Sequence, residues 1–220
     1  MCVNYLPSKR QELQALFDVR VNDTLTWPDE VWKDYPAPIV RKSNDQSSEV
    51  VVGTYGIVPR RHIPEGVRVF DTMNARAETV GEKRSYSKAW REGQTCLVPM
   101  AGFFEPKYSD GKSERWRIAL NDAGVFCVAG MWREWKEPDG SRALSFTQLT
   151  INADDHPFMR QFHKPGDEKR SLVIVPPDDY DAWLSCRDPE IARSFLTLYP
   201  ANLMRGEPAP RPAKKIASSK

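Results

Sequence analysis

The 220-residue sequence has no C-x-x-C pair, and its four cysteines, Cys2, Cys96, Cys127 and Cys186, lie far apart. With only three histidines as well, it lacks the close Cys/His cluster that a structural zinc needs, and no metal is expected. No apolar run approaches the roughly 18–20 residues of a membrane-spanning helix. The opening Met1-Cys2-Val3-Asn4-Tyr5 has no basic stretch leading into an apolar one, as a secretory signal would. The expectation is a cytoplasmic protein with reduced thiols and no membrane association. No repeat or composition break divides the chain, so one domain is expected. Nor is one sign of charge in strong excess: 32 Lys and Arg face 30 Asp and Glu, a net of +2. A nucleic-acid-binding face would therefore have to come from local clustering of arginines.

What is present is mostly strand signal. Val50 to Val52, Val67 to Phe70, Cys96 to Val98, Trp116 to Leu120, Val125 to Val128, Ser145 to Ile151 and Leu172 to Val175 are short β-branched or apolar runs. Turn formers such as Asp110-Gly111 and Asp139-Gly140 separate most of them. Ser8-Lys9-Arg10-Gln11 reads as a capping box ahead of a short helix with Leu13, Leu16 and Phe17 on its apolar face. Further helices are expected at Tyr86–Arg91, Asp178–Leu184 and Pro189–Leu196, and Trp27 to Ser48, rich in proline and charge, reads as irregular. The fold class is α+β: a β-rich single domain over 1–208, a curled sheet or open barrel with peripheral helices. Residues 209–220 offer almost nothing to bury and are expected to form a disordered basic tail.

Four places can carry chemistry. Cys2 follows the initiator methionine, and removal of Met1 leaves an α-amine and a thiol on one carbon framework. Their reference pKa values, roughly 7.7–8.0 and 8.5, keep usable amine and thiolate near neutral pH. Such a pair condenses with an aldehyde, first to a Schiff base and then, by thiol closure, to a five-membered thiazolidine. A second-position cysteine is also often without consequence. Asn74-Ala75-Arg76-Ala77-Glu78-Thr79 reads as a loop or helix start, and a capped helix with a solvated Arg76–Glu78 pair is the plain alternative. Arg84 is placed to extend a phosphate-binding surface. Cys96 to Pro106 is an apolar strand ending in Glu105, suited to general acid–base work if enclosed, or else to an ion pair. Lastly, His156 and His163 lie just after the strand ending at Ile151, and histidine is the usual proton shuttle near neutral pH.

Taken in order, these segments resemble the SRAP (SOS response-associated peptidase) family. The resemblance rests on Met1-Cys2, Tyr55-Gly56-Ile57-Val58-Pro59, Asn74 to Thr79, Cys96 to Glu105 and His163-Lys164-Pro165, and it runs from Cys2 to about Leu184. It implies the SRAP fold, no cofactor, and covalent capture of abasic sites in single-stranded DNA by a monomer. On that pattern Cys2 is the nucleophile, Asn74 positions its terminus or the sugar, and Glu105 handles protons in Schiff-base formation. His163 assists ring opening, reversal or β-elimination, and Arg76 and Arg84 hold phosphates; Phe103 and Trp132, with Trp90 if the protein is only a reader of DNA, are candidates for base stacking. The chain departs from the pattern at Val3-Asn4, Tyr55 and Pro106, and in the charged run Gly166 to Arg170. Two other functions fit the same residues. One is an N-terminal-cysteine peptidase, with Glu105 or the amine as base and Asn74 at an oxyanion, acting at least on Met1. The other is a non-enzymatic reader of single-stranded or modified DNA.

Overall fold

The structure, a computed structural model, describes residues 2–122 and 124–211. In chain order the elements are β1 (Asn4–Pro7), α1 (Arg10–Phe17), β2 (Val31–Trp32), β3 (Pro36–Lys42), β4 (Ser48–Tyr55), β5 (Asn74–Arg76) and α2 (Ser87–Arg91). They continue with β6 (Thr95–Ser109), β7 (Lys112–Leu120), β8 (Phe126–Lys136), β9 (Arg142–Asn152), β10 (Arg170–Leu172) and β11 (Ile174–Val175). Helices α3 (Tyr180–Ser185) and α4 (Pro189–Ser194) and strand β12 (Met204–Pro208) complete the chain. Strands β6, β8, β9, β4 and β3 pair in that order and β3 returns to β6, so the curled sheet closes into a barrel. The closure is narrow, because β4 meets β9 in parallel only at Thr54↔Ser145 and Tyr55↔Phe146.

Alternation along the strands sends side chains to two cores. Cys96, Val98 and Met100 of β6 join Tyr55, Phe103, Phe126 and Phe146 on one face. Leu97 points the other way, with Ala129, Met131 and Leu149, to a layer covered by Trp90, Trp183 and Leu184 of the helices. Each fully buried phenylalanine contributes roughly 1.5–3 kcal/mol. Where β8 crosses β9, a Cβ on Gly130 would lie 2.7 Å from the Thr147 carbonyl oxygen, so only glycine lets these strands approach.

The hairpins at Asp110-Gly111 and Asp139-Gly140 form as their sequences direct, with positive φ at Asp110, Gly111 and Gly140. Other expectations are corrected. The α1 cap is Lys9 rather than Ser8: the Glu12 carboxylate accepts from the Lys9 amide at 2.7 Å, while the Ser8 amide is drawn to the Pro99 carbonyl at 3.2 Å. The segment after Trp27 is not irregular throughout, since Pro36–Lys42 is β3. Its prolines are tolerated because β3 ladders fully to β4 but meets β6 only at Val40↔Leu97. Conversely, Val67 to Phe70 forms no strand. Strand composition alone finds no partner there, and Val67, Val69 and Phe70 remain exposed. Leu172 to Val175 divides at Val173, where the chain leaves β9 for β8. At the other end, Ala209 continues beyond β12, its amide donating to the Arg115 carbonyl at 2.8 Å. The rest of the expected tail, 212–220, lies outside the described residues.

Candidate active site

β1 runs antiparallel to β6 with Tyr5 opposite Phe103, which brings the N-terminal residues alongside Glu105. Cys2 is buried, and its thiol lies 3.3 Å from the Asn4 carbonyl oxygen. Burial pushes the thiol pKa well above its ordinary value, and the negative charge of Glu105 pushes it further. At rest the sulfur is therefore a thiol and not a thiolate.

The backbone of Cys2 is held by side chains from two strands. Asn74 Nδ2 donates to the Cys2 carbonyl at 2.7 Å and the Tyr55 hydroxyl lies 3.2 Å from the same oxygen. The same hydroxyl lies 3.0 Å from Gln148 Oε1, so its single proton is shared between two acceptors, the Cys2 carbonyl and the Gln148 amide oxygen. Sequence reading missed Tyr55 and Gln148 as site residues. The available signal was a glutamine, with no turn former beside it, inside the strand run Phe146–Ile151.

Glu105 and His163, distant in sequence, meet in the interior with His163 Nδ1 3.1 Å from Glu105 Oε2. His163 Nε2 is 2.9 Å from the Arg170 carbonyl, which only accepts, so Nε2 carries a proton and Nδ1 is presented to the carboxyl group. His163 sits at φ +65°, a left-handed conformation worth roughly 1–3 kcal/mol of strain in a non-glycine residue. Its amide donates to the Pro106 carbonyl at 2.8 Å, and Phe162 bridges to Lys107, which holds the turn in place.

The Asn74–Thr79 segment is neither a loop nor a helix start at its beginning. Asn74–Arg76 is strand β5, in parallel register with Gln148–Thr150. Its charges also pair elsewhere, with the Gly166–Arg170 run. Arg76 contacts Glu168 at 2.6 Å, and Glu78 accepts from both terminal nitrogens of Arg170 at 2.9 and 2.8 Å. Burial opposes ionisation of Glu78, but the Arg170 guanidinium outweighs it and holds the carboxyl below its usual range. A depressed carboxylate stabilises the fold above its unfolded pKa, roughly 4.3, and that stability is lost as pH falls through the folded value. Glu78→Gln is accordingly expected to cost about 1–3 kcal/mol at pH 7, less than a fully enclosed pair because Glu78 is partly in water. In urea denaturation the gap from the parent should close at low pH, where the parent loses the same charge; an equal gap at both would contradict the assignment.

Two grooves lie near Cys2, one bordered by Asn74, which grips its carbonyl, and the other by its chain neighbours Val3 and Asn4. One, of about 330 Å³, is lined by Phe70, Asn74, Arg76, Lys83, Arg84 and Tyr86. The other, of about 320 Å³, is lined by Val3, Asn4, Phe104, Glu105, Arg115 and Arg211. Arg76 and Arg84 thus share one groove with Asn74. The aromatic expectations fare differently. Phe103 has no exposed surface and packs edge-on to Phe126, because β6 turns it into the barrel core, so it offers no face to a base. Trp90 is likewise buried. Trp132 lines neither groove, and Arg41 covers its ring at 4.2 Å. The aromatic ring exposed in the Asn74 groove is Phe70. His156 is structural: Nδ1 accepts from the Met159 amide at 2.9 Å, so Nε2 donates to the Tyr199 carbonyl at 2.8 Å. No group of three or more His, Cys, Asp or Glu suited to a metal occurs among the described residues.

Comparison with known proteins accords with this geometry. Abasic site processing protein YoqW of Bacillus subtilis (strain 168) is 29% identical over 153 residues, covering 68% of this chain and 64% of that protein. The chain therefore spans just under two thirds of that relative's length. Abasic site processing protein HMCES of Mus musculus is 23% identical over 142 residues, covering 51% of this chain and 40% of that protein. The X-ray structure of a protein from Bordetella bronchiseptica superposes with a TM-score of 0.83 at 29% identity, over 94% of this chain and 99% of that one. One from Bacteroides thetaiotaomicron gives 0.72 at 22% identity, over 93% and 90%, a likeness of fold. The profile of the family described as SOS response associated peptidase (SRAP) matches residues 1–211, and the chain belongs to that family.

Proposed function

We propose that this protein captures abasic sites in single-stranded DNA as a thiazolidine at Cys2, after Met1 has been removed. The observation that carries the reading is the double anchor on the Cys2 carbonyl from Asn74 and Tyr55, set near two grooves and beside Glu105–His163. Fixing the carbonyl leaves the amine and thiol as the groups that can react. The names of YoqW and HMCES, both abasic site processing proteins, support the substrate class.

The steps balance without a cofactor. The Cys2 amine adds to the ring-opened sugar aldehyde, giving a carbinolamine. Protonation of its hydroxyl expels water and forms the Schiff base. The thiol sulfur then adds to the imine carbon while its proton passes to nitrogen. One water is lost overall. The Glu105–His163 pair is the proton source and sink for the dehydration, and Arg76 and Arg84 hold the strand by its phosphates. Phe70, rather than Phe103, supplies a ring on which a base can stack. A peptidase acting on Met1–Cys2 is less well served. Its oxyanion would form on the Met1 carbonyl, whereas Asn74 and Tyr55 bind the carbonyl of Cys2.

The test mixes Met1-free protein with a single strand bearing one abasic site. The expected product survives a denaturing gel and has the summed mass of both components less one water. A complex that dissociates under denaturation would leave only a non-covalent reader. The histidines separate in the same assay. His163→Asn keeps a residue that tolerates positive φ but cannot shuttle protons. It is expected to bind DNA normally while changing the rate of strand cleavage or adduct release about 10²-fold or more. His156→Asn should leave those rates alone and lower only the melting temperature. The reverse pattern would remove His163 from the chemistry.

A further inference from the structure

In each groove one arginine is tied to a carboxylate, Arg76 to Glu168 in the first and Arg115 to Glu30 in the second. Arg115 is engaged: Nη2 lies 2.5 Å from Glu30, the guanidinium sits 3.3 Å over the Phe104 ring, and Nη1 donates to the Ala209 carbonyl at 3.3 Å. Glu30 also accepts from the Asn4 side chain, so its charge is spent within the wall. Exposed Glu114 accepts from the Trp116 indole at 2.8 Å. Arg211 is exposed and has no carboxylate partner among the described residues. It is nonetheless placed. β12 runs along β7 from Met204↔Leu120 to Pro208↔Trp116, and Ala209 extends the ladder, which carries Arg211 onto Trp32. The guanidinium lies 4.4 Å from the indole centroid, and Trp32 is the register partner of Asn4, two residues from Cys2.

A guanidinium stacked on an indole keeps its charge and its N–H edge while losing much of its freedom to wander. Such an edge matches a phosphate, whose oxygens accept two parallel hydrogen bonds. The sequence beyond Arg211 holds Lys214, Lys215 and Lys220 and no Asp or Glu. Arg76 and Arg84 line the groove beside Asn74, and Arg211 the groove beside Val3 and Asn4, so a strand running between the grooves past Cys2 would pass from one set of cations to the other. We propose that Arg211, seated on Trp32, is a phosphate-binding residue of the second groove and holds the DNA strand on the far side of Cys2 from Arg76 and Arg84. The proposal rests on the DNA reading above.

Its test uses the full chain and single strands containing tetrahydrofuran, an abasic analogue without the aldehyde. Binding is thus read apart from capture. Three strands are compared: one extending on both sides of the analogue, one only on its 5′ side and one only on its 3′ side. On the two-sided strand, Arg211→Ala is expected to reduce the log–log salt slope by about 0.7, one phosphate contact. Trp32→Leu should weaken binding in the same direction by unseating the arginine. The effect of Arg211→Ala should persist on one of the two shortened strands and vanish on the other, with Arg76→Ala showing the opposite choice. Arg211 is exposed, so its variant should melt with the parent. A parent that captures abasic DNA while Arg211→Ala leaves the slope unchanged would overturn this inference alone. So would Arg211→Ala and Arg76→Ala losing their effects on the same shortened strand. Failure of the parent to capture an aldehyde-bearing strand would instead count against the covalent reading, and the slopes would still decide the groove.

Discussion

Cys2→Ala is expected to bind abasic single-stranded DNA and leave nothing on a denaturing gel, the largest effect any single substitution here should have. Ring closure needs sulfur and amine on the same residue, and no internal cysteine offers both. Cys96 and Cys127 are buried in strands, and every internal cysteine has its nitrogen in an amide. Fold loss is not expected to confuse the result. Alanine keeps part of the small buried Cys2 side chain and loses only the weak thiol contacts to backbone, such as that to the Asn4 carbonyl, while the anchor from Asn74 and Tyr55 acts on backbone that alanine retains. A companion protein that keeps Cys2 but carries a retained N-terminal extension has the thiol and lacks the amine. It should fail to capture as completely as the alanine variant. Stable adduct from the extended protein at the parent's yield would show that sulfur alone suffices and would end the thiazolidine reading.

Glu105→Gln should divide two reactivities that ordinarily move together. The Glu105 charge is one of the influences holding the Cys2 thiol pKa up, so a neutral amide in its place lowers that pKa. At a fixed mildly alkaline pH the thiolate fraction rises, and alkylation of Cys2 by iodoacetamide is expected to accelerate. Capture should slow by about 10²–10⁴-fold, because glutamine cannot pass a proton to the departing hydroxyl of the carbinolamine. Strand affinity, measured on the tetrahydrofuran analogue, should remain near the parent's. Faster alkylation with slower capture is a pattern that simple loosening of the site would not give, since loosening would also weaken the placement of DNA. Slower alkylation, or capture at the parent rate, would reduce Glu105 to a structural partner of His163.

Much of this site is legible in the amino-acid sequence because its chemistry is local. A cysteine after Met1, a carboxylate ending an apolar strand and a histidine beside Lys164-Pro165 announce themselves by residue type. What residue type does not reveal are the contacts made by closure of the sheet. Phe103 sits next to the catalytic candidate Glu105 and looks available, but strand alternation and the Tyr5↔Phe103 register turn it inward. Arg76 and Glu78 look like a pair because they are two apart. Arg76 ends β5 and Glu78 lies in the turn that follows, and each finds an opposite charge in the Gly166–Arg170 run, which the sequence presents only as an insertion. The reverse holds at Val67 to Phe70, where β-branched and aromatic residues promise a strand and the segment pairs with none. Prolines mislead at Pro36–Lys42 for the same reason: what matters is which side of the strand needs a donor.

The two-rung junction of β4 with β9 has a consequence for how the site breathes. Tyr55 occupies one of those rungs, and its neighbour Gly56 donates to the Phe146 carbonyl at 2.9 Å. A seam this short opens at lower free energy than the long β8–β9 and β3–β4 ladders, so its amides should exchange with deuterated solvent ahead of theirs. Each opening would carry the Tyr55 hydroxyl away from the Cys2 carbonyl and leave Asn74 as the only side chain gripping the nucleophile. Protection at Gly56, whose amide bonds across the seam, is therefore a solvent-side gauge of how firmly Cys2 is presented, readable on the free protein before any DNA is added.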